Sequence, residues 1–319
     1  MSNEKWIQKL ERMPVPILPT MVGAATLSNV FLGLGFTLIR HITMIAATVI
    51  LLFYLLKIVK YPKTFLKEYK NTVPASLYAG LTMLLMILGS YYFTYSPAVG
   101  KIMWVVGLAI HALHILIFTL QNILTNRKAE TFVPSWFVTY NGIMVSCVVG
   151  GVMEEPGILK MVTYYGIVIY FLLLPFMLWR LAAREINDGV YHTQAILLAP
   201  CSLCLVSYLN VIPEPNQILV YLLYFCVLVS LLFVLYKLPK FFSYAFYPGF
   251  AGLTFPMAIG IVASTKMAGY IEGTGNTALS GIITQISGVQ IYVTTAIIAF
   301  VLFNFARMLI RALKGDAAK

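Results

Sequence analysis

Charge is what this sequence has least of. Asp, Glu, Lys and Arg together make up 10% of its 319 residues, against about 25% in an ordinary soluble domain, which excludes a soluble fold. Intramembrane carboxylates are missing too. All eleven acidic residues fall in the head, the loops or the tail, and no Lys or Arg sits deep in an apolar run. Proton-driven and many ion-coupled transporters carry such groups, and membrane enzymes acting on phosphorylated lipids need acidic clusters to hold metal. The expectation is therefore no enzyme, no cofactor and no metal. Cysteine is equally sparse. Cys147, Cys201, Cys204 and Cys226 all lie inside apolar runs, so none is placed for an extracellular disulfide, and the C-x-x-C of Cys201 and Cys204 reads as small-residue packing.

What is abundant is hydrophobic sequence, at 60% of the chain. Ten apolar runs follow one another, at 14–36, 42–60, 75–93, 98–123, 134–152, 157–179, 192–211, 216–236, 245–265 and 288–310, each about long enough to cross a bilayer. No stretch is left for a globular unit. The first run follows a head containing Glu4 and Glu11 and reads as a retained span, not a cleaved leader. Residues 1–319 are thus expected to form one transmembrane domain, with short cytoplasmic tails at 1–13 and 311–319.

The net charge of +11 would suggest a nucleic-acid partner in a soluble protein, but its placement points to topology. With ten spans, 18 of the 22 Lys and Arg fall on the side of the two termini, and only Arg40, Lys101, Lys160 and Lys266 on the other. The basic side marks the cytoplasm. Acidic residues divide 7 to 4, leaving the inner face strongly positive and the outer face neutral.

Prolines in or beside the odd spans, Pro19, Pro74, Pro134, Pro200 and Pro256, recur at intervals of 55, 60, 66 and 56 residues, a repeat of one helical hairpin. Among the even spans only the sixth holds an internal proline, Pro175, and the second and eighth hold neither Pro nor Gly. Pro and Gly need neighbours or water to satisfy freed backbone groups, so odd helices should lie inside and even helices outside. Pro74 and Pro134 fit helix starts. Pro200 and Pro256 sit deeper and are expected to kink their helices.

Five inner helices so related can surround an axis. Their polar residues are neutral, among them Thr20, Ser76, Ser135, Thr139 and Ser207, and either bond helical carbonyls in a packed bundle or line a pore together. A neutral lining with a basic inner mouth suits anions, because a positive face concentrates them and broken helices present positive N-termini. His111 and His114 share a face of the fourth span and read as hydrogen-bonding partners between helices, with a proton relay as the alternative. In the ninth span Gly249, Gly252, Pro256, Gly260 and Ser264 form a small-residue face, which is either a packing stripe or the wall of a pore. Phe255, just before Pro256, is biased away from helical geometry and could project into that pore.

The segments PILPTMVGAATLS, FVPSWF, LLAPCSLCLVSYL and LTFPMAIGIVAS resemble the tellurite-resistance and dicarboxylate transporter family, which includes the bacterial tellurite-resistance protein TehA and the plant slow-type anion channels. The resemblance runs over most of the chain. It implies an all-α integral membrane protein of ten transmembrane helices, as five hairpins in quasi-five-fold arrangement with odd helices inner. It further implies a homotrimer with a pore in each subunit and a phenylalanine gate, whose position matches Phe255. Family members often carry a further proline deep in the fifth helix, where this chain has Thr139. The plant channels have long cytoplasmic extensions that this chain lacks. The function so implied is a gated channel for small monovalent anions such as chloride, in a prokaryotic plasma membrane, with anions and membrane lipid as partners. Its expected lining is Pro19, Thr20, Gly23, Ser76, Ser135, Thr139, Pro200, Ser207, Gly252, Pro256 and Gly260. The alternative is a proton-coupled dicarboxylate or tellurite-related carrier.

Overall fold

A computed structural model describes residues 9–125 and 129–314 of the chain. Lys5, Arg127, Lys128 and Lys319, counted above by side, lie outside the described residues, as do Glu4 and Asp316. Among the described residues there is no strand. In chain order the α-helices are α1 Ile17–Gly33, α2 Thr37–Lys60, α3 Pro62–Tyr69, α4 Thr72–Phe93, α5 Pro97–Thr119, α6 Trp136–Gly142, α7 Val145–Val149, α8 Pro156–Ala183, α9 Leu198–Val211, α10 Gln217–Phe241, α11 Thr254–Gly273 and α12 Thr277–Lys314. Two 3₁₀ segments, Asp188–Leu197 and Pro248–Leu253, lead directly into α9 and α11.

Among the described residues eight helices are long and apolar enough to cross a membrane, and nine if the bent pair α6 and α7 is one span. The shorter α1 has 17 residues. Burial separates them into two sets. The apolar stretches of α4, of 188–211 and of 248–273 are 83%, 83% and 72% buried, whereas those of α2, α5, α8, α10 and α12 are 28–33% buried. The less buried helices expose Leu, Ile, Val and Phe along most of their length, as lipid-facing helices do.

The buried set makes a closed circuit of contacts. Helix α1 packs on α4, α4 on the α6–α7 pair, that pair on α9, α9 on α11, and α11 returns to α1. Each less buried helix packs on the buried helix preceding it in the chain and on the next one in the circuit: α2 on α1 and α4, α5 on α4 and α6, α8 on α6 and α9, α10 on α9 and α11, α12 on α11 and α1.

The prolines have a shared place in this arrangement. Pro19, Pro74, Pro200 and Pro256 are each the third residue of an α-helix, where the N–H has no intrahelical acceptor and its loss is free. Pro200 and Pro256 therefore do not kink a continuous α-helix. They stand where a 3₁₀ segment converts to α-helix. The sharp bend lies elsewhere, in the fifth span, where α6 and α7 meet at 45°. Three further departures from the sequence reading are short. Helix α10 runs on to Phe241 and so includes Pro239, α12 begins at Thr277, and the connection after α2 contains a helix of its own, α3.

Candidate functional site

All five buried segments converge on one small cavity of about 20 Å³, walled by Pro19, Leu77, Met83, Phe137, Val138, Gly142, Ile196, Ala199, Leu203, Ala251, Gly252, Phe255 and Pro256. By volume it holds about one water molecule, and its wall is apolar throughout. Phe255 is 5% exposed.

Beyond it, toward the ends where these segments begin, lies a larger vestibule of about 310 Å³. Val15 and Pro16 before α1, Val73 and Pro74 of α4, Val190, His192 and Thr193 of the first 3₁₀ segment, and Pro248 and Gly249 of the second form much of its wall. Leu77, Ile196, Ala251 and Gly252 belong to both spaces, so the vestibule adjoins the cavity that Phe255 walls.

The seat of Phe255 is fixed by backbone contact. A Cβ added to Gly23 would stand 2.6 Å from the Phe255 amide nitrogen and 2.7 Å from the Thr254 carbonyl carbon, closer than real Cβ atoms approach anything. Only glycine lets α1 lie this tightly against the start of α11. Thr254 Oγ1 adds a hydrogen bond to Ala251 O at 2.8 Å and reaches Pro19 O at 3.4 Å.

Of the residues expected from sequence, Pro19, Gly252, Phe255 and Pro256 meet at the cavity. The others are placed in the packing around it. Thr20 donates to Pro16 O at 2.9 Å, Ser76 to Val73 O at 2.8 Å, and Ser207 to Met144 O at 3.5 Å. Gly23 abuts α11, and Gly260 faces Leu198 Cδ2 and Gln290 Nε2. Pro200 is buried in the first turn of α9. Ser135 is buried with no hydrogen-bond partner for its hydroxyl. Thr139 joins a polar chain between helices. His111 Nε2–H donates to Thr139 O at 2.9 Å, and His111 Nδ1 lies 2.7 Å from Thr82 Oγ1. His114 lies 3.1 Å from Thr139 Oγ1 and, through Nδ1, meets the hydroxyl of Tyr69 from α3. With Tyr69 donating to Nδ1, His114 Nε2–H donates to Thr139. Burial pushes Tyr69 up to about 12, which keeps it a donor at neutral pH.

Two features at the vestibule were not read from sequence. Glu68 lines it, with Oε1 2.8 Å from Lys57 Nζ and Oε2 accepting from Tyr78 at 2.5 Å. Lys57, in the last turn of α2, is fully buried, as Arg180 nearly is at the end of α8. A lysine or arginine at a helix C-terminus satisfies free carbonyls and the dipole, so burial of a cation was possible here without placing it mid-membrane. The second feature is the anchoring of His192. Its Nε2–H donates to Phe241 O at 3.1 Å and its Nδ1 lies 2.7 Å from Tyr247 OH. Tyr247 also reaches Asp188 O at 3.0 Å, and Tyr244 donates to Asp188 Oδ1 at 2.6 Å. That bond to Asp188, with some burial, raises Tyr244 to about 12.

Helices of membrane-spanning length around a narrow axial cavity define a multi-pass membrane protein of the channel and transporter class. Residues 13–309 match the voltage-dependent anion channel family, SLAC1, and the chain belongs to that family. No curated protein matches it.

Proposed function

We propose that this protein is a gated anion channel in which ten spans form five helical hairpins in quasi-five-fold arrangement, and that small monovalent anions such as chloride pass along the axis past Phe255. The observation that carries the reading is a cavity touched by all five buried segments, walled in part by Phe255 and sharing four wall residues with a larger vestibule. At about 20 Å³ it is too small for a hydrated anion, so the state described is closed. An apolar constriction of this kind blocks ions by excluding water.

In this reading Pro19, Gly252, Phe255 and Pro256 form the narrowest wall. Thr20, Gly23, Ser76, Ser135, Thr139, Pro200, Ser207 and Gly260 make the layer behind it and set its width. Positive potential along the path comes from the N-terminal ends of inner helices, with the starts of α1 and α4 and the 3₁₀ segments leading into α9 and α11 lining the vestibule. The chain sits in a plasma membrane with both termini cytoplasmic, as a homotrimer with one path per subunit.

Purified protein in a planar bilayer under asymmetric chloride tests this. Resolved unitary steps with a reversal potential near that of chloride are expected. A reversal potential near that of the cation, or saturable flux that needs a proton gradient and shows no steps, would replace the channel with another mechanism.

A further inference from the structure

An anion entering from the vestibule meets one carboxylate, Glu68, and no lysine or arginine among the described residues that line it. Left bare, that carboxylate would make the vestibule hostile to anions. It is not bare. Lys57 approaches Glu68 Oε1 at 2.8 Å and also donates to Met13 O at 2.8 Å, and Tyr78 occupies Oε2. Lys57 is wholly buried, while the Glu68 side chain is 26% exposed. The anionic partner therefore faces the vestibule and the cation stands behind it.

We infer that the Lys57–Glu68 pair is a specificity-determining element, which sets the electrostatic potential of the vestibule close to neutral and admits anions past a carboxylate. The buried setting matters, because an ion pair shielded from solvent is little screened by salt, so the compensation persists at working ionic strength. The pair also ties α3 to the end of α2, and Thr64 of α3 donates to Glu11 Oε1 at 2.5 Å, which tethers the same helix to the segment before α1.

The consequence for ion flux rests on the channel reading, but the potential itself can be measured without conduction. Val190, half-buried on the vestibule wall, is replaced by Cys in the full chain. Its modification rates by a sulfonate-bearing and a trimethylammonium-bearing methanethiosulfonate are then compared at pH 7, with the chain lacking the added cysteine as control. Glu68→Gln removes the negative charge yet keeps an oxygen for Lys57 and a hydrogen-bonding group for Tyr78. At low ionic strength it should shift the anionic-to-cationic rate ratio upward by about fourfold, the opposed effects on the two reagents of one unit charge for a separation of about 10 Å in water. Lys57→Met should shift the ratio downward, and the double variant should return it close to its starting value. If Lys57→Met does not fold, Glu68→Gln decides alone. A Glu68→Gln ratio within twofold of the starting value overturns the inference, as does a downward shift. In bilayers, Glu68→Gln should raise anion current entering from the vestibule side. Absence of any wild-type anion current would overturn the channel reading instead, and would leave the thiol ratios to decide the pair.

Discussion

Replacing Phe255 with Ala removes a ring from the wall of a cavity of about 20 Å³. Were that ring ordinary core, its loss would cost about 3–5 kcal/mol. At about 2–4 °C per kcal/mol for a large domain, the thermal midpoint would fall by roughly 6–20 °C. In the gate reading, however, the ring borders a path and not a sealed interior. The vestibule of about 310 Å³ shares four wall residues with the cavity, so on that reading the vacated space joins it and fills with water. A penalty of about 24 cal/mol per Å³ for an empty cavity then drops out. What remains is part of the transfer term, about 1.5 kcal/mol, and a midpoint change of roughly 3–6 °C. Meanwhile the constriction disappears. If it contributes even about 1.4 kcal/mol of barrier, anion current rises about tenfold. The assay pairs the two readouts on one preparation: chloride current per reconstituted protein, and thermal unfolding in detergent. Phe255→Leu should fall between wild type and Phe255→Ala in current. Unchanged current together with the larger loss of midpoint would return Phe255 to the core and remove the gate.

Gly23→Ala should destabilise by about 1–3 kcal/mol, because its Cβ meets backbone of Thr254 and Phe255, which cannot rotate away; a midpoint equal to wild type would refute the contact. Thr139→Val strands the Nε2–H of buried His114 and should cost about 1–3 kcal/mol, read by thermal unfolding, with Tyr69→Phe giving a smaller loss because His114 Nδ1 merely loses a donor. A tag fused after Lys319 should resist impermeant label in intact cells and react after permeabilisation, and labelling in intact cells would reverse the proposed topology.

The alternation of buried and lipid-facing helices was legible because backbone demands follow residue type: Pro and Gly of the odd spans need protein around them, while QILVYLLYFCVLVSLLFVLY of α10 needs none. Phe255 stands out in sequence as a bulky ring amid Gly and Pro, and its place is on the cavity wall. The hydroxyls misled about the wall of the cavity. A Ser or Thr in a helix turns readily to the carbonyl three or four residues back, as Thr20 and Ser76 do, so its polarity does not reveal which face it presents. The Lys57–Glu68 pair stayed hidden because it depends on α3, a short helix inside a lysine-rich connection, and on two residues meeting across a turn. The bend of the fifth span fell at Gly142–Val145, with no proline to announce it.

The tight seam between α1 and α11 bears on biogenesis. The Thr254–Pro19 contact joins residues 235 positions apart, so at about 5–20 residues per second of synthesis the first helix waits roughly 10–50 s for its closing neighbour. Until then the flank of α1 at Gly23 lacks its α11 partner, and the four hairpins that precede residue 254 can be assembled into an open arc. The final hairpin acts as the clasp. A ribosome stalled before residue 254 would leave an arc whose two free ends, α1 and α9, both lack the α11 they pack against, so this protein should be more sensitive to late truncation, and more prone to accept the last hairpin of another nascent chain, than a bundle whose helices pack only with their neighbours in sequence.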